Sequence, residues 1–168
     1  MTQIRLELSK KNLYSIYDNS PKVKQIVDSL QQANTKIQLN GLLGSSLSFV
    51  VQSLFKKAEK PFLLILNDKE EAAYYLNDLE QMIGEEDVLF YPGSYRRPYQ
   101  IEDTDNANVL LRAEVLNRIN SRKKPAIIVT YPEALFEKVV TRKELDKNTL
   151  KVAVGDQISI DFINEVLF

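Results

Sequence analysis

Three short apolar runs recur along the chain, separated by stretches with helical spacing. They are Phe62 to Leu66, Val88 to Tyr91 and Ala126 to Thr130. A continuous apolar run too short for a helix marks a strand buried on both faces. Strands of that kind belong to parallel sheets, whose crossovers are helices. Two further candidates, Lys36 to Leu39 and Leu150 to Val154, complete the set. The pattern therefore predicts an α/β fold, a mostly parallel sheet of about five strands with helices on both faces.

The helical stretches carry their own punctuation. Two precede any strand: Lys10 to Asp18, with Leu13, Ile16 and Tyr17 on one face, and a second opened by Ser20-Pro21 and reaching about Gln32. Proline is suited to the first helical position, where its missing N–H costs nothing. Asn67 or Asp68 caps a helix that runs through Ile83, with Gly84 as its natural stop. Thr104 or Asp105 caps a long helix to about Arg122, Pro132 starts a short one from Glu133 to Val139, and Thr141 with Glu144 matches a capping box. Ser159 opens a last amphipathic stretch. Residues 1–35 read as a helical flank and residues 36–168 as one α/β domain. The apolar end Val166-Leu167-Phe168 has no polar tail and predicts a chain cut from a longer protein.

The chain of 168 residues holds no Cys and no His. That removes disulfides, thiolate nucleophiles, Ser-His-Asp triads and His-bearing zinc sites. Oxygen ligands remain, and they favour Mg²⁺ or Ca²⁺. Met1 to Lys11 is polar and lacks an apolar leader core, and no apolar run is long enough to span a bilayer. The expected location is the cytoplasm. The net charge is −1 but unevenly spread. Asp68 to Asp87 holds eight acids and one base, whereas Arg112 to Lys151 holds ten bases and five acids. Two solvated helix faces account for this, as do two faces for different partners.

Gly41-Leu42-Leu43-Gly44-Ser45-Ser46-Leu47-Ser48 lies between a strand candidate and a helix, the layout of a phosphate-binding loop. A working loop of this type reads G-x-x-x-x-G-K-[ST]: its backbone N–H groups wrap the phosphates, its Lys neutralises them and its hydroxyl holds Mg²⁺. Aligned on Gly41, the second glycine is Ser46, the Lys is Leu47, and the hydroxyl survives as Ser48. An apolar side chain in place of the one formal cation predicts poor nucleotide binding and no hydrolysis. A plain strand-to-helix turn explains the same residues.

In their order and spacing these features resemble the N-terminal part of bacterial transcription-repair coupling factor (Mfd), whose first region is related to the excision-repair helicase UvrB. The resemblance rests on Gly41-Leu42-Leu43-Gly44-Ser45, the apolar strand and acidic helix from Phe62 to Ile83, and Val88-Leu89-Phe90-Tyr91-Pro92. It continues through Pro98-Tyr99, the helix around Arg112 and Leu116, and the strand Ala126 to Thr130. It covers about Ile37 to Phe168. It implies a degenerate RecA-like domain that is not itself an enzyme and needs no cofactor. For the whole protein it implies an ATP- and Mg-dependent DNA translocase that acts on stalled RNA polymerase and recruits UvrA, mainly through a domain beyond residue 168.

Tyr95, Arg96, Arg97 and Tyr99 interleave aromatics with cations, a pattern that can stack bases and contact phosphates. Glu102, Asp103 and Asp105 follow at once and repel the same phosphates. In UvrB this region carries a long hairpin that grips damaged DNA, and about a dozen residues leave no room for one. Two other functions stay open: a nucleotide-binding or NTPase domain with an unusual loop, and a DNA-binding module using Arg96, Arg97, Arg118, Arg122, Lys123 and Lys124.

Overall fold

The structure, a computed structural model, describes residues 13–95, 105–121, 124–139, 141–147, 154, 155, 157 and 159. It divides the chain into two compact units, residues 1–137 and 138–168.

In the first unit, residues 13–18 are helical (α1) and are followed by α2 (Pro21–Ser29), α3 (Ser46–Ala58), β1 (Phe62–Ile65), α4 (Lys69–Ile83), β2 (Val88–Tyr91), α5 (Asn106–Ser121), β3 (Ile127–Thr130) and α6 (Pro132–Phe136). The second unit contributes α7 (Arg142–Lys147), whose Glu144 N–H donates to Thr141 Oγ1 at 3.4 Å. The described residues form one parallel sheet of three strands in the order β1-β3-β2. Phe62 and Val88 both sit level with Ile127.

The central strand is the most buried. Ile127 and Val129 are inaccessible to solvent, and Thr130 is satisfied there by donating to the Tyr91 carbonyl at 2.8 Å. Side chains alternate across a strand, so Phe62 and Tyr91, three register positions apart, face opposite sides of the sheet. Phe62 meets Phe55 of α3 edge-on, while Arg112 of α5 lies over the Tyr91 ring. Helices thus cover both faces. α4 closes the core on the α3 side with Ala72 and Leu79, both fully buried. Its ends obey local chemistry: Asp68 accepts from the Glu71 N–H at 2.7 Å, and Gly84 ends it at φ +115°.

α1 and α2 share a second cluster with α3, built on Val23, Val50 and Leu54. Tyr17 stacks on Phe49 at 5.1 Å, and buried Ser53 donates to Asp18 Oδ1 at 2.6 Å.

Two sequence expectations need correction. Residues 36–39 form no strand: Ile37 and Leu39 alternate as a strand would, but both are exposed and pair with nothing among the described residues. A two-residue alternation supplies a face, yet a strand also needs a hydrogen-bonded neighbour. The sheet accordingly has three strands among the described residues, not about five. Of the expected strand 150–154, Val154 lies in an exposed turn and residues 150–153 fall outside the described residues. The expected last helix, from Ser159, also falls almost wholly outside them.

Candidate functional site

The loop from Gly41 to Ser48 precedes α3 as expected. Gly41 and Gly44 adopt φ +81° and +51°, which side chains on Cβ disfavour and glycine does not. α3 begins at Ser46, so Ser45 is its N-cap residue, although the Ser45 side chain makes no capping bond. A phosphate cradle needs free N–H groups and positive charge at this point.

The structure supplies neither in full. Leu43 N–H donates to Ser46 Oγ at 2.7 Å. Ser45 Oγ bonds to the Tyr74 hydroxyl at 2.6 Å, and the Tyr75 hydroxyl donates to the Gly44 carbonyl at 3.5 Å. Ser48, in the place of the Mg²⁺-holding hydroxyl, is fully buried and donates to Asp78 Oδ2 at 3.1 Å. Leu47 packs against the main core rather than standing free at the loop. One face of α4 therefore covers the start of α3 with two tyrosines and a carboxylate. Leu47 leaves the loop without the lysine that would neutralise a triphosphate.

A second polar cluster lies at the carboxyl ends of β2 and β3, where open α/β sheets carry their ligand sites. Arg112 is 6% exposed. Its Nη1 donates to the carbonyls of Pro92 (2.8 Å) and Ala134 (3.0 Å) and lies 3.4 Å from Glu137 Oε2. Its guanidinium carbon sits 4.2 Å from the Tyr91 ring centre. Glu137 in turn accepts from the Ser94 N–H at 2.9 Å and the Ser94 hydroxyl at 2.6 Å. Gly93 N–H donates to the Tyr131 hydroxyl at 2.9 Å, and Asn108 donates to the Gly93 carbonyl at 2.9 Å. A Cβ on Gly93 would come within 2.8 Å of Glu137 Oε1, so only glycine fits without displacing the carboxylate. Asp105 N–H donates to the Ser94 carbonyl at 2.8 Å, which brings the two ends of the intervening segment together.

This cluster clamps distant segments of the chain together through Arg112 Nη1 and Glu137, while Arg112 Nη2 is buried without a hydrogen-bond partner. Its tyrosines are tuned by burial. Burial pushes the Tyr91 and Tyr131 hydroxyls above their ordinary value, against the lowering effect of Arg112 on Tyr91 and of the Gly93 N–H on Tyr131. The folded state thus holds these protons to higher pH than the unfolded chain does. The contribution of these two hydroxyls to stability is fully present below pH about 10 and falls as pH rises beyond it. Urea unfolding between pH about 8 and 11 measures the decline, and Tyr131→Phe should make it shallower.

Of the sequence candidates, the six loop residues share one place, and Tyr95 is half-buried at the end of the clamp. Arg96, Arg97 and Tyr99 lie outside the described residues. Sequence reasoning missed Asp78 and the role of Arg112. One signal for the latter was available: Arg112 shares a helix face with Val115 and Leu116, and a charge on an apolar face needs a buried partner.

Over 151 residues, 89% of its length, the chain is 26% identical to a transcription-repair-coupling factor of Bacillus subtilis. A protein of the same name from Rickettsia bellii is 23% identical over 71% of the chain. The UvrABC system protein B of Metamycoplasma arthritidis is 24% identical over 84% of it. The chain resembles the UvrB-like N-terminal region of transcription-repair coupling factor. It spans 13% and 11% of the two coupling factors and 23% of the UvrB protein. One stretch matching both kinds of protein is what a UvrB-like region of a coupling factor would show. No family model and no solved structure matches the chain. Among the described residues, no helix is long and apolar enough to cross a membrane.

Proposed function

We propose that the chain is a non-catalytic scaffold and interaction module of a transcription-repair coupling factor. The observation that carries the non-catalytic part is the closed loop: Leu47 takes the lysine position, and Ser48 is tied to Asp78. Similarity to coupling factors and to UvrB supports the setting, nucleotide excision repair. In that setting the whole protein is an ATP-dependent DNA translocase that displaces stalled RNA polymerase and recruits UvrA. The motor and the main UvrA surface belong to other parts of it, and this region serves as the platform beside them in the cytoplasm.

Calorimetry with Mg-ATP tests the reading. The expected result is no saturable heat up to about 1 mM nucleotide, an affinity ceiling near 4 kcal/mol. Micromolar binding abolished by Gly44→Asp would sink it in favour of a nucleotide-binding domain. Restoring the motif with Ser46→Gly and Leu47→Lys is expected to leave binding absent while Asp78 holds Ser48. Adding Asp78→Ala frees the Ser48 hydroxyl, and binding should then be stronger than in the double variant.

A further inference from the structure

Beside α5, the sheet is left partly bare. Tyr91 and Ile65 are both level with Thr130, so they share a face with Leu63 and Ile128. α5 covers this face over β2, as Arg112 on the Tyr91 ring shows. It does not reach β1, where Leu63 and Ile65 are 55% and 54% exposed. Between α5 and β1 runs a groove of about 460 Å³, lined by Ala126, Ile128, Pro61, Pro125 and Ile119. Ile119 is half-exposed on its wall.

Arg118 and Lys124 both line the groove. Asp87 lies 3.7 Å from Arg118 and 2.9 Å from Lys124, one carboxylate shared by two cations, and the Lys124 side chain remains 56% exposed. Glu59 lines the groove as well. The floor is aliphatic and offers no aromatic ring for a base to stack on, which favours a protein over a nucleic acid.

We propose that this groove docks an amphipathic helix of a partner protein whose apolar stripe is flanked by acidic residues. The apolar stripe lies on Leu63, Ile119 and Ile128, and the acids face Arg118 and Lys124, the helix-in-groove mode of recognition. The proposal rests on the interaction-module reading and adds the surface and the partner's chemistry. A chain that bound Mg-ATP yet still docked the helix would overturn that reading and leave this one standing.

The probe is a synthetic amphipathic peptide of about four helical turns, leucine on one face and glutamate elsewhere, with a lysine-for-glutamate counterpart. Amide chemical shifts of the 168-residue chain follow the titration. The expected result is saturable shifts at Leu63, Ile119 and Ile128, with the glutamate peptide at least about tenfold tighter than the lysine one at low salt. Ile119→Asp should abolish binding and Lys124→Glu should narrow the preference, both with an unchanged thermal transition. Equal binding of the two peptides, or no saturation by about 1 mM, would overturn the proposal. So would displacement of the peptide by duplex DNA, or a dimer in sedimentation that Ile119→Asp dissociates, since another occupant would then hold the groove.

Discussion

Replacing Arg112 with alanine is expected to destabilise the protein by about 3–5 kcal/mol, the cost of breaking a buried ion pair by removing one partner. The reason lies in what remains. The Pro92 and Ala134 carbonyls each lose a donor, and the Glu137 carboxylate, 13% exposed, loses its cation. The Tyr91 ring also loses the guanidinium packed on it. Glu137 keeps the two Ser94 donors, which moderate the loss. With a urea slope of about 1–3 kcal/mol per molar, the midpoint should fall by roughly 2 M. Arg112→Lys should rescue only part of it. An ammonium replaces the charge but not the planar guanidinium that lies on the Tyr91 ring while its Nη1 reaches two carbonyls. A loss below about 1 kcal/mol would mean that water replaces the guanidinium and that the cluster is not a clamp.

The second large effect belongs to Leu79. It is inaccessible to solvent on the inner face of α4, against a core that includes Leu89 and Ile127. Leu79→Ala should cost about 2–5 kcal/mol, the transfer term plus the cavity that a packed sheet cannot collapse to fill. Leu110→Ala is the control. Leu110 is 71% exposed on α5, so its truncation should stay within about 0.5 kcal/mol. The thermal transitions of the two variants check the difference. A similar loss at both positions would mean that the α4–sheet core is not the main source of stability.

The two helices also show what a sequence pattern can carry. In α4 the apolar residues Ala72, Leu76, Leu79 and Ile83 recur at helical spacing, and the buried face follows directly. In α5 the apolar residues lie on both faces: Val115 is buried and Leu110 is exposed, while Ile119, one turn beyond Val115 on the same face, is half-exposed at the groove. Periodicity cannot rank two apolar faces, so which one meets the sheet was not legible.

The candidate loop divides in the same way. Its position, its glycines and its missing lysine are local facts, legible in eight consecutive residues. Its closure is not. Ser45 meets Tyr74 across 29 residues and Ser48 meets Asp78 across 30. The clamp joins Pro92 and Ser94 to Arg112 and Glu137 over spans of 20 to 43 residues.

By itself the sequence determined the positions of the three strands, most helix ends and the absence of the phosphate-loop cation, but it overstated the burial of β1, whose Leu63 and Ile65 are exposed. These depend on short-range causes: apolar runs, capping side chains, glycine at positive φ, and residue identity. Only the tertiary structure decided the strand order, the failure of residues 36–39 to pair, and the partners of Asp78 and Arg112. Those depend on which distant groups packing brings within hydrogen-bond reach, and hydrophobic burial, being non-directional, leaves that choice to the assembled chain.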